Sequence, residues 1–104
     1  MGYAATVTHE PTSGTWAVSV RVTLTRAEST DLFLSGDSMV SWPTEGIATS
    51  NSADPRLERS GMFVSEMASR PTGLCIRYGS QDEAERAAKL FRIQFAQIGI
   101  QEET

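Results

Sequence analysis

The chain holds one cysteine, Cys75, and one histidine, His9. A lone thiol closes no internal disulfide and builds no cysteine-based zinc site, so a reducing compartment is the expected setting. A lone histidine leaves a catalytic metal short of its usual ligands, and His9-Glu10 lacks the second histidine of a zinc-protease helix. Long apolar runs are missing too: nothing approaches the ~20 residues that span a bilayer. The first ten residues, MGYAATVTHE, have neither the basic start nor the apolar centre of a signal peptide. Met1-Gly2-Tyr3-Ala4-Ala5-Thr6 fits the loose N-myristoylation pattern, but the same residues read as a strand. Cytoplasmic location without membrane contact is therefore expected.

Basic runs are also absent. Nine Lys and Arg stand against thirteen Asp and Glu, for a net charge of −4, and the cations are scattered from Arg21 to Arg92. That distribution disfavours direct nucleic-acid binding by counterion release. The glycines are dispersed, with no phosphate-binding loop, and Asp82 and Glu83 would oppose an anion at the start of the last helix. No cofactor and no metal are expected.

What is present is enough for one core. Residues 1–104 fit a single domain, with 39% hydrophobic and 21% charged residues. From Trp16 to Arg26, the residues Trp16, Val18, Val20, Val22 and Leu24 alternate with polar or small ones, the period of a half-buried strand. Pro11-Thr12-Ser13-Gly14, Pro43-Thr44-Glu45-Gly46 and Pro71-Thr72-Gly73 read as hairpin turns. They pair residues 4–9 with 15–26, 39–42 with 47–49, and 63–68 with 74–78. Ser35-Gly36-Asp37 is a fourth turn, between Leu32-Phe33-Leu34 and Met39-Val40, which makes the middle a meander. Residues 49–54 read as loop, and Asp54-Pro55 as the start of a short helical turn ending by Arg59. Residues 62–69 fit either a strand or a helix.

The last helix is expected from Gln81 to about Ile98. Ser80 with Glu83 makes a capping-box pattern, and Gly99 ends the helix with Ile100 placed to touch Phe95. Ala84, Ala87, Ala88, Phe91, Phe95 and Ile98 form one stripe at helical spacing. The expected architecture is α+β: an antiparallel sheet of five to seven strands with this C-terminal helix across one face.

Catalytic readings are weaker than structural ones. Ser35-Gly36-Asp37-Ser38 resembles the Gly-Asp-Ser start of one lipase and esterase family, but that chemistry draws on a histidine downstream, and His9 lies upstream. Cys75, between Leu74 and Ile76, is expected to pack in the interior.

The informative residues are apolar ones that the core does not require. Ile93 points away from the Phe91 stripe, among Arg86, Lys89 and Gln97, with Leu90 at the stripe's edge. Trp42, beside Pro43, is a further candidate contact, whereas Trp16 has the parity of the core. The expected protein-binding residues are Arg86, Lys89, Leu90, Ile93 and Trp42. The leading expectation is a non-enzymatic protein-binding module, an inhibitor or adaptor of a larger enzyme. Immunity proteins and anti-CRISPR proteins are similar in size and charge, and in nothing more specific. The alternatives are a self-assembling component of a phage or secretion apparatus, forming homo-oligomers, and a small hydrolase or ligand-binding domain.

Overall fold

A long hairpin organises the chain. In the computed structural model, which describes residues 1–48 and 60–103, β1 (Gly2–Glu10) pairs antiparallel with β2 (Thr15–Thr23) in unbroken register from Gly2↔Thr23 to Glu10↔Thr15. Gly14 closes the turn at φ 68°, its N–H donating to the Glu10 carbonyl at 2.9 Å. The alternation of β2 holds from Val18 on, with Val18, Val20 and Val22 buried and Ser19, Arg21 and Thr23 exposed, whereas Ala17, expected on the solvent face, is buried. The strand ends at Thr23 rather than Arg26. Thr25 instead starts a helix, accepting from the Glu28 N–H while the Glu28 carboxylate accepts from the Thr25 N–H.

That helix, α1 (Arg26–Leu34), replaces the strand expected at residues 32–34. Ser35-Gly36-Asp37 is a turn, but it terminates a helix: Asp37 N–H donates to Leu32 O at 2.8 Å and Gly36 N–H to Phe33 O at 3.2 Å, a Schellman ending. The same bonds recur after α3 (Gln81–Gln97), from Ile100 to Phe95 and from Gly99 to Ala96. There Ile100 is buried as expected, and Ser80 Oγ accepts from the Glu83 N–H at 3.3 Å.

Two of the three expected hairpins do not form. β3 (Met39–Ser41) pairs with β4 (Gly61–Phe63), and Ile47 instead bridges to Tyr78. Residues 62–69 are strand and then helix, α2 (Val64–Ala68), so Pro71-Thr72-Gly73 joins a helix to β5 (Leu74–Tyr78). β5 pairs antiparallel with β2. Gly73 fits there because its φ is 69° and a Cβ would lie 2.2 Å from Val20 O.

The described residues thus form two sheets instead of one. The four-stranded sheet has the order β5-β2-β1-β6, with β6 (Gln101–Glu102) parallel to β1, so it is mixed; β3 and β4 form the second. The loop and helical turn expected within residues 49–59 lie outside the described residues. The fold is α+β, with α3 over one face of the larger sheet. Ala84, Ala87 and Ala88 are fully buried and small, which brings the helix close, and Phe91 and Phe95 fill the space against the buried Val18, Ile76 and Tyr78. Tyr3 stacks on Phe95 at 4.5 Å between ring centroids.

Candidate functional site

The site begins with a helix that has no fully buried residue. α1 has a full capping box and a Schellman ending, yet none of its residues is buried. Its last turn holds Phe33 at 73% and Leu34 at 76% exposure. Leu32 alone packs half-buried against the core, and local caps rather than an apolar stripe specify the helix, so Phe33 and Leu34 are left in solvent.

The two-stranded sheet continues the apolar surface. Val40 and Met62 face inward and are buried, so their neighbours Met39 and Phe63, paired across the ladder, face outward at 58% and 43% exposure. Between α1 and β4 lies an open groove of about 430 Å³ lined by Phe33, Gly36, Asp37, Phe63 and Ser65. Asp37 forms its floor at φ 62°. Its carboxylate accepts from Ser38 N–H at 2.7 Å, from Ser65 N–H at 3.4 Å and from the Ser65 hydroxyl. Asp37 is therefore a cap on α2 supplied from a distance.

On the other side of Met39, a hollow of about 300 Å³ is lined by Ser38, Met39, Gln94, Gln97 and Ile98. Gln94 fixes α3 to β3 in the manner of a further strand. Its Oε1 accepts from Ser41 N–H at 2.8 Å and from Ser41 Oγ at 3.2 Å, while its Nε2 donates to Ser41 O at 2.8 Å. By helical spacing Leu90, Ile93 and Gln97 share that side of α3. Ile93 is 47% exposed and Leu90 half-buried. Arg86 and Lys89 are exposed further along the helix.

Trp42 is not part of this surface. It is 2% exposed, lies tilted against Phe91 at 6.1 Å, and belongs to the core beneath β3. A residue at the end of a short strand is covered here because α3 packs on β3. Its indole Nε1 is buried without a hydrogen-bond partner among the described residues. Trp16, expected inside, is half-buried at the rim of the sheet, where His9 stacks on it at 4.4 Å. Cys75, also expected inside, is exposed, because it shares the outer face of β5 with Arg77 while Leu74 and Ile76 face the core.

Phe33, Leu34, Met39 and Phe63 were not legible as a site. Reading residues 32–34 as a strand hid Phe33 and Leu34, although Thr25 with Glu28 is a capping box visible in the sequence. The Asp37 carboxylate accepts from the Ser65 hydroxyl, and His9 lies apart from them on β1, stacked on Trp16. Among the described residues, no three His, Cys, Asp or Glu side chains gather to hold a metal ion, and no helix is long and apolar enough to cross a membrane. The deeply placed Tyr78 phenol has its pKa raised by burial, and its hydroxyl donates to Pro43 O at 2.7 Å. The chain matches no protein-family model, no curated protein and no solved structure.

Proposed function

We propose that the protein is a non-enzymatic binding module that docks onto a larger protein, as an inhibitor or adaptor, through the surface formed by Phe33, Leu34, Met39 and Phe63. Ile93 and Leu90 extend that surface along α3. The observation that carries the reading is the exposure of Phe33 and Leu34 on a helix that anchors itself to the core through the half-buried Leu32. Isolated exposed apolar side chains are ordinary on protein surfaces; two aromatic ones lining one groove, with Leu34 and Met39 exposed beside them in sequence, support an interaction site. Aromatic and Met side chains also supply much of the contact area at the centre of interfaces.

The test is affinity purification from the cells that make the protein, comparing wild type with the double variant Phe33→Asp/Phe63→Asp. A defined partner held by the wild type and lost by the folded variant supports the reading. Equal recovery with both proteins contradicts it.

A further inference from the structure

The groove between α1 and β4 is not only apolar. Its lining combines two aromatic rings, Phe33 and Phe63, with one carboxylate, Asp37, one hydroxyl, Ser65, and Gly36. No Lys or Arg is among these described lining residues. Asp37 is half-buried and forms no ion pair with any described residue. The face of an aromatic ring carries negative potential, so rings and carboxylate together attract a cation. The net charge of −4 acts in the same direction, drawing basic surfaces toward the chain.

The hydrogen bonds already in place narrow the choice of cation. Asp37 Oδ1 accepts from Ser38 N–H at 2.7 Å and from Ser65 N–H at 3.4 Å, which occupies both its lone pairs. Oδ2 accepts from the Ser65 hydroxyl alone and keeps one acceptor site. Ser65 gives its only O–H to that bond, so its oxygen is left to accept. A guanidinium fork is best met by two free carboxylate oxygens side by side. One Oδ2 site beside one hydroxyl oxygen instead suits an ammonium, a compact charge with three donors. The methylene stem of a lysine can then lie along the aromatic walls while its head reaches the floor.

We propose that this groove is a pocket for a lysine side chain, its ammonium held by Asp37 Oδ2 and Ser65 Oγ and its stem packed on Phe33 and Phe63. On the docking reading above, on which the source of the lysine rests, an exposed segment of the larger protein presents it.

The test is an amide-shift NMR titration of the isotope-labelled protein with capped Ala-Ala-Lys-Ala-Ala, and with the same peptide carrying norleucine or arginine at its centre. Lysine should give saturable shifts at Phe33, Gly36, Asp37, Phe63 and Ser65. Norleucine keeps the stem and loses the charge, so it should bind at least about tenfold more weakly, and arginine should also bind less well than lysine. Asp37→Asn removes the charge, keeps an acceptor for both N–H groups and tolerates the positive φ, and should weaken lysine binding at least about tenfold. Phe63→Leu, apolar but without a ring, should weaken it about threefold.

No response at the groove, equal affinity for lysine and norleucine, or full affinity in Asp37→Asn overturns the proposal. So do groove shifts that grow with the protein's own concentration, without peptide, and vanish in Lys89→Gln, because they assign the pocket to the chain's single lysine in a second copy. A partner captured through Phe33 and Phe63 alongside a groove indifferent to lysine overturns the pocket and leaves the docking reading standing. A lysine response with no partner captured does the reverse.

Discussion

Met39 and Phe63 stand opposite each other across the β3–β4 ladder, and both turn outward while their neighbours Val40 and Met62 are buried. A cross-strand apolar pair of this kind ordinarily forms part of a core. Here it adjoins the exposed Phe33, so the small sheet has an apolar face on each side.

Apolar residues in the exposed Phe33 face and in the core should respond differently to substitution. Leu34→Glu is expected to shift stability by no more than about 0.5 kcal/mol, because the side chain is already in solvent. Phe91→Ala, at a fully buried position, should cost about 3–5 kcal/mol. Chemical denaturation of the two variants measures both. A large loss for Leu34→Glu would place α1 in a structural role.

Gly73 should not tolerate a side chain. Its φ of 69° opposes alanine, and so does the Val20 carbonyl oxygen, which would lie 2.2 Å from the added methyl group and belongs to backbone that cannot rotate away. Gly73→Ala is expected to cost about 2 kcal/mol or more by denaturant unfolding. Gly14→Ala, with the same sign of φ but open space around it, should cost less.

Asp37 should matter for folding. Asp37→Ala removes the acceptor for Ser38 N–H and for the Ser65 backbone and hydroxyl, and it places alanine at φ 62°. The expected loss is about 2 kcal/mol, read from the thermal or chemical midpoint.

Acid should destabilise the protein partly through Glu28. The Met1 ammonium at 2.6 Å, followed by the Thr25 N–H, holds its carboxyl at about 2, below its ordinary 4.5. A depressed carboxyl pKa contributes stability that is full above the unfolded value and is lost as pH falls through the folded one. The contribution should therefore decline between about pH 4.5 and 2. Glu10, lowered by its hydrogen bond to Arg77, acts in the same direction. Melting curves across this range should show a shallower pH dependence for Glu28→Gln than for wild type.

The sequence reveals elements whose patterns act locally. The alternation of β2 and the alanine-phenylalanine stripe of α3 each define a face without reference to distant residues, and both are present, except that Ala17 is buried and Trp16 only half-buried. Pairing was harder, because Pro and Gly punctuate any change of direction. Pro71-Thr72-Gly73 serves a helix-to-strand turn as well as it would a hairpin. For the candidate site, Ile93 was legible from its place on the helix. Trp42 was misplaced because burial at a strand end depends on what packs across it, here α3 on β3. Phe33 and Leu34 were hidden because α1 has almost no amphipathic pattern, and only Thr25 and Glu28 betray it.

The central claim is that the Phe33 face meets another protein. Photo-crosslinking tests it most directly, with a benzophenone amino acid at position 33 and, as control, at Thr6 on the outer face of the large sheet, in the cells that make the protein. A discrete adduct with a larger protein is expected at position 33 and none at position 6. No adduct at position 33, or the same adducts at both positions, would contradict the claim.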